Sequence, residues 1–209
     1  MKKLVLGMVG LAFLAACSNN PKGDKAATTD EVSDSASVSG DSYAVDPSSS
    51  SVTWTGSKVT GSHHGTIAIQ SGNVILNDNK LSGGEFTIDM TSLANKDMEG
   101  DAENKGKLEG HLKSDDFFAT EKYPTSKFVI TKVDHKGDNK AEISGNLTMK
   151  DITKNITFNA DITQSTAETF AAKADFNINR KDWGVVYTGM QDDLIADEIN
   201  FKVNLTANK

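Results

Sequence analysis

The chain has 209 residues, with 22 basic against 29 acidic side chains and a formal net charge of −7 at neutral pH. An acidic balance of this size argues against nucleic acid as a partner, and a single cysteine excludes an intrachain disulfide framework. Beyond the amino-terminal stretch no apolar run approaches the roughly 18 residues of a membrane-spanning helix.

Met1-Lys2-Lys3 opens the chain, an apolar stretch runs from Leu4 to Leu14, and Leu14-Ala15-Ala16 leads into Cys17. Two lysines hold the amino end in the cytoplasm, the stretch is too short for a permanent span, and small residues precede the cut. The pattern reads as a bacterial lipoprotein signal: residues 1–16 are removed and Cys17 becomes the amino terminus. In signals of this kind the thiol carries a diacylglycerol and the new terminus is often acylated. Several acyl chains, at about 0.8 kcal/mol per buried CH₂, give a lasting anchor that one chain does not. Loss of Lys2 and Lys3 lowers the 22 basic side chains to 20 against 29 acidic ones, a net of −9. Ser18, not Asp, follows the cysteine, which favours the outer membrane, on its periplasmic or outside face. Residues 18–42 are rich in Ser, Thr, Ala, Asp and Lys and contain no aromatic residue. That composition predicts a flexible linker from Cys17 through residue 42, holding the folded part off the bilayer.

From Tyr43 onward the composition changes, and residues 43–209 read as one domain large enough for a real core. Val52/Trp54, Ile67/Ile69, Val74/Leu76 and Phe86/Ile88/Met90 suggest four strands, with Gly61, Gly72, Gly83 and Gly84 at turns or kinks. Residues 107–116 read as a helix, because Leu108, His111, Leu112 and Asp115 share one helical face. A strand through Phe128 then turns back at 135–140, which sets Phe128 against Leu147. A tight turn at Lys150-Asp151 sets Met149 against Ile152, Leu147 against Lys154 and Ile143 against Phe158.

Ile152, Ile156, Phe158, Ala160 and Ile162 alternate with polar residues, as do Phe170, Ala172, Ala174, Phe176 and Ile178. A turn at 164–167 places Ile162 opposite Phe170, Ile156 opposite Phe176 and Ile152 opposite Arg180. The loop 182–198 carries a second expected helical turn at 191–196, and Ile199/Phe201/Val203/Leu205 supplies the closing strand. Eight or nine antiparallel strands, each with one apolar face and almost no helix to cover it, form a sandwich or a barrel. Strands reaching roughly 40 Å favour the barrel. The expected fold is therefore all-β, an antiparallel eight-stranded barrel with one or two short helices.

Inside such a barrel the inward aromatic and aliphatic residues, Trp54, Phe86, Phe128, Ile156, Phe158, Phe176, Ile178 and Phe201, would line an apolar cavity. Three cations break the inward pattern: Lys58, Lys154 and Arg180. Strand-end lysines and arginines commonly snorkel to water at a rim. A ring of positive charge at the mouth would instead suit the anionic head of a long-chain amphiphile.

Glu109-Gly-His-Leu-Lys-Ser-Asp-Asp-Phe117-Phe118 with Tyr123-Pro124 and Phe128, Gly145-Asn-Leu147-Thr148-Met-Lys150-Asp-Ile-Thr153-Lys154, and Phe176-Asn-Ile178-Asn-Arg180-Lys-Asp-Trp183-Gly184 resemble the signatures of the YceI-like family of bacterial envelope proteins. The resemblance spans residues 43–207. Asp151 stands where glycine is usual and Asn179 where aspartate is common. The resemblance implies a lipocalin-like, elongated eight-stranded barrel, and some members bind polyisoprenoid lipids along its axis. A polyisoprenoid, quinone-like or other long-chain amphiphile is the ligand expected, with envelope lipid transport, storage or stress response as the process and self-association into a homodimer left open.

No cofactor or metal is expected. His63, His64, His111 and His135 show no metal-ligand spacing, and adjacent His63 and His64 point to opposite faces of a strand. No nucleophile elbow, phosphate loop or dinucleotide fingerprint occurs, so nothing positive points to an enzyme. The alternative to a carrier is a fully packed barrel acting as a protein–protein interaction module in the envelope.

Overall fold

The computed structural model describes residues 19–33, 38–137 and 139–209, so the expected signal peptide and Cys17 lie outside the described residues. The strands are β1 (Asp24–Lys25), β2 (Ala27–Asp30), β3 (Asp41–Val45), β4 (Ser51–Lys58), β5 (Gly61–Asn77), β6 (Lys80–Asn95), β7 (Thr125–Gly137), β8 (Lys140–Met149), β9 (Ile152–Ser165), β10 (Thr169–Asn179), β11 (Gly189–Met190) and β12 (Asp193–Asn208), with one helix, α1 (Ala102–Lys113). β4 pairs with β5 on one side and β12 on the other, and β9 pairs with β10. Eight antiparallel strands thus close a lipocalin-like barrel. The apolar half of each alternation faces inward, so the core is the wall of the barrel.

Turn chemistry sets much of the register. Lys150 and Asp151 both adopt the left-handed region, with φ of 50° and 60°, the two-residue turn whose twist matches that of its strands. Met149 accordingly faces Ile152, Leu147 faces Lys154 and Ile143 faces Phe158, and Phe128 faces Leu147, as the alternation predicts. Aspartate tolerates this conformation better than most residues, which accounts for Asp151 at a position where glycine is usual. Asp78 and Asn79, at φ 51° and 58°, make the same kind of turn between β5 and β6. Ile67/Ile69 and Val74/Leu76 therefore belong to one 17-residue strand, not two. Gly72 sits inside it, where a Cβ would press on the Phe86 ring, so close packing and not a turn explains it.

The β9–β10 seam departs from expectation. Ile162 faces Ala172, not Phe170, because the turn closes with Phe170 at Ser165 and an irregularity between Ala171 and Ala172 then moves the pairing by one residue; the net two-residue difference keeps every inward side chain inward. Pairing ends at Ala160 with Ala174, so the expected Ile156–Phe176 and Ile152–Arg180 rungs do not form. Residues 24–30 stand in the gap. β1 runs parallel to β10, with Asp24 at Phe176, and β2 runs antiparallel to β9, from Ala27 at Thr157 to Asp30 at Lys154.

The expectation of a structureless linker from 17 to 42 is thus not met at residues 24–30. Pro21 and Ala26 are buried, and the Ala26 amide donates to the Asn177 carbonyl at 2.9 Å. The Asn177 side-chain amide donates to the Pro21 carbonyl at 2.8 Å and itself accepts from Asn200 at 2.9 Å. Composition weighed only side-chain burial. Two diverging strands expose main-chain donors and acceptors that even a polar segment can satisfy.

Helix α1 begins five residues before the expected 107–116, capped by the Asp101 carboxylate, which accepts from the Asn104 amide at 3.1 Å. No helical turn forms at 191–196, because Ile195 is taken into the ladder opposite Lys58. A 3₁₀ turn forms instead at Arg180–Trp183, capped by Asn179 and ended by Gly184 at φ 71°. Helix α1, the 3₁₀ turn, the loop 184–192 and the β4–β5 and β8–β9 turns all lie at one end of the barrel. The β5–β6, β7–β8 and β9–β10 turns lie at the other.

Candidate functional site

Six of the eight barrel strands place an aromatic ring on the inner wall: Trp54 of β4, Phe86 of β6, Phe128 of β7, Phe158 of β9, Phe176 of β10 and Phe201 of β12. Five of these rings form a chain of neighbours. Centroids are 6.2 Å apart from Phe86 to Phe128, 5.8 Å from Phe128 to Phe158, 4.2 Å from Phe158 to Phe176 and 6.2 Å from Phe176 to Phe201. Trp54 faces Phe201 across the β4–β12 ladder. The two remaining strands contribute glycines where the rings need room. A Cβ on Gly65 of β5 would overlap the Trp54 indole, and one on Gly145 of β8 would overlap the Phe128 ring. Period-two spacing brings these residues to one face of each strand, and barrel closure turns that face into a girdle.

The girdle does not fill the interior. A cavity of about 420 Å³ runs inside the barrel, within the roughly 300–1,000 Å³ usual for sites that hold small molecules. The interior is therefore not the solid packing required of a plain interaction module. Phe170, Val74 and Leu205 line its far end, where the Tyr43 hydroxyl donates to the Ala167 carbonyl at 3.0 Å beneath the β9–β10 turn. At the other end Met190 lines the cavity and is 66% exposed, so the lumen reaches solvent there. The Trp54 indole nitrogen, on the wall, is buried without a hydrogen-bond partner.

Of the expected cavity residues, Trp54, Phe86, Phe128, Ile156, Phe158, Phe176 and Phe201 line the lumen. Ile178 does not; it is fully buried in the core near the end of β10. The three cations do not form a ring. Lys58 lines the mouth and pairs with Asp193 at 2.5 Å, which holds the Asp193 carboxyl below the usual range. Lys154 lies off the wall and pairs with Asp30 of the inserted segment at 2.9 Å. Arg180 lines the lumen as Lys58 does, but it is only 1% exposed, and its guanidinium donates to the carbonyls of Ala196 at 2.9 Å, Val185 at 2.6 Å and Ile195 at 3.4 Å. Burial pushes this guanidinium down, and the Asp197 charge opposes that shift. Its three bonds fold the loop 185–196 over the mouth, a structural role that alternation alone does not reveal.

Sequence reasoning missed the mouth itself. Leu108 and Leu112 of α1, Phe117, Phe118 and Tyr187 line it. The His111 ring stands edge-on to Phe117 and Tyr187, at 5.0 and 4.8 Å. Lys150 ties this corner to the β8–β9 turn by donating to the Phe117 carbonyl at 2.6 Å. The Leu108/Leu112 face and the Phe117-Phe118 doublet carried the signal.

His63 also lines the mouth, and its Nδ1 lies 2.8 Å from Asp97. Burial pushes the Asp97 carboxyl up, but hydrogen bonds from the His64 amide, the His63 ring and Asn95 outweigh it and hold the group below the usual carboxylate range. A depressed carboxyl contributes stability above its unfolded pKa and loses it as pH falls through the folded one. Melting temperature should therefore drop as pH falls below about 4, and Asp97→Asn should flatten part of that drop; scans between pH 3 and 6 check it. Among the described residues no cluster of metal-ligating side chains occurs.

A closed antiparallel barrel with a blind, ring-lined apolar lumen defines a lipocalin-like class of protein. The YceI-like domain model matches residues 43–207. The chain belongs to the YceI-like family. It is 30% identical over 127 residues to a UPF0312 protein of Pseudomonas putida, covering 58% of this chain. The matched part spans 63% of the length of that relative. Among solved structures, Burkholderia cenocepacia BcnA superposes with a TM-score of 0.64 at 23% identity, over 78% of this chain and 99% of BcnA. A polyisoprenoid binding domain from Saccharophagus degradans, implicated in plant cell wall breakdown, superposes with a TM-score of 0.59 at 14% identity, over 79% and 97%.

Proposed function

We propose that this protein is a lipid-anchored carrier of the bacterial envelope. It holds the hydrocarbon tail of a polyisoprenoid or quinone-like amphiphile in the lumen, for lipid transport, storage or stress response. The observation that carries this reading is the blind apolar cavity of about 420 Å³ ringed by Trp54 and five phenylalanines. Each buried five-carbon unit of a tail contributes roughly 3–4 kcal/mol before ordering costs. Membership of a family that has a polyisoprenoid-binding structural neighbour supports the same ligand class. The unpartnered Trp54 N–H favours a ligand that carries an oxygen acceptor, since a buried orphan donor costs about 1–3 kcal/mol. Catalysis has no part in this reading.

Anchoring is through lipid on Cys17, and the outer membrane, on its periplasmic or outside face, is the location proposed. Organic extraction of protein purified from its native membranes, followed by mass spectrometry, should release one long-chain lipid in near-stoichiometric amount. Cys17 should carry its acyl groups in the same spectra. A lumen that yields no lipid and takes up none from vesicles would overturn the carrier reading.

A further inference from the structure

The described residues include six exposed large hydrophobics, and their distribution is one-sided. Val59 (55%), Val186 (63%), Met190 (66%) and Leu194 (50%) are the most exposed, and all four stand on the β4–β5 turn, the loop 184–192 and the start of β12, which frame the mouth. The Val59 amide donates to the Leu194 carbonyl at 3.1 Å, which brings these two tips together. Ile152, a fifth, follows the β8–β9 turn at the same end, and Val32 lies beside Asn146 where the inserted segment leaves β9. The turns at the blind end carry none of the six. Monomeric barrels scatter such side chains singly; a cluster around an apolar opening marks a contact surface.

The path of the amino-terminal segment says what covers it. Asn19 and Asn20 share a surface cleft with Val59 and Leu194, and Asn177 and Asn200 fix the chain just after them. Asn19 is the first described residue, and Cys17 stands two positions before it in the sequence. The first described residues and the apolar tips therefore belong to the same end of the barrel. A linker free from 17 to 42 would leave the barrel's orientation undefined. The docked 21–30 segment removes most of that freedom.

We infer that the mouth end docks on the lipid bilayer, with Val59, Val186, Met190 and Leu194 entering its surface, so that the lumen opens onto the acyl region and a tail passes between bilayer and cavity without crossing water. This rests on the carrier reading and adds its partner and its orientation. Asp193 beside the tips is neutralised by its pair with Lys58, so the contact rests on the apolar side chains and hydrocarbon and not on headgroup charge.

The test uses the full lipidated chain in vesicles of phosphatidylethanolamine and phosphatidylcholine, with an environment-sensitive fluorophore at Val186→Cys, Leu194→Cys or, at the blind end, Lys80→Cys. Labels at 186 and 194 should shift to shorter wavelength and be quenched by brominated lipid, while the label at 80 stays in water. Serine at Val59, Val186 and Leu194 together, none of them on the cavity wall, should slow transfer of a pyrene-labelled prenol from vesicles at least tenfold. Three labels alike, or a contact that forms only when phosphatidylglycerol is present, would overturn the inference. If the fluorophores behave as expected but no prenol binds, docking stands and the carrier reading falls.

Discussion

Replacement of Arg180 by alanine or glutamate should lower the melting temperature by about 10 °C, or prevent folding. The guanidinium is 1% exposed and satisfies three main-chain carbonyls of the loop that closes over the mouth. Removing it strands those oxygens in a buried place, and losses of this kind cost about 3–5 kcal/mol, with each kcal/mol worth roughly 2–4 °C in a domain of this size. Lys154→Glu offers the contrast, because its partner Asp30 is 96% exposed and water screens the pair; its melting temperature should barely move. Thermal unfolding followed by circular dichroism separates the two. A mild effect at Arg180 would return it to the role of a headgroup ligand, which the sequence pattern alone allows.

Ala174→Trp should abolish binding of a long-chain lipid, by at least 100-fold, while leaving the barrel folded. Ala174 lines the lumen beside the Phe158–Phe176 stack, and a tryptophan there projects into open space that the ligand tail would occupy. In a solidly packed interior the same substitution overpacks the core, at about 1–3 kcal/mol or more. Binding and melting temperature, measured on one sample, therefore distinguish a hollow barrel from a full one. Lost stability with binding unaffected would contradict the proposed site.

The strands were readable because a single period, two, governs nearly the whole domain, and the turn Lys150-Asp151 fixes register locally. The cavity wall followed from the same alternation. What alternation does not encode is where neighbouring strands part. The rungs expected between Ile156 and Phe176 assume that β9 and β10 stay paired, and no local rule signals that they separate after Ala160. Arg180 and Lys154 illustrate the same limit, since both interrupt an apolar face, yet one bonds a loop 15 residues away and the other an aspartate 124 residues away. Their partners are set by tertiary packing alone. Gly65 and Gly145 were silent for a related reason: each is explained by an aromatic ring on another strand.

The parted strands β9 and β10 carry a hazard that the inserted segment contains. A shortened chain that begins at Tyr43, where the family match starts, would bare two strand edges side by side, with unpaired donors and acceptors over the stretch that residues 24–30 otherwise cover. Such edges recruit strands from other molecules, so the trimmed protein would be prone to self-associate through them.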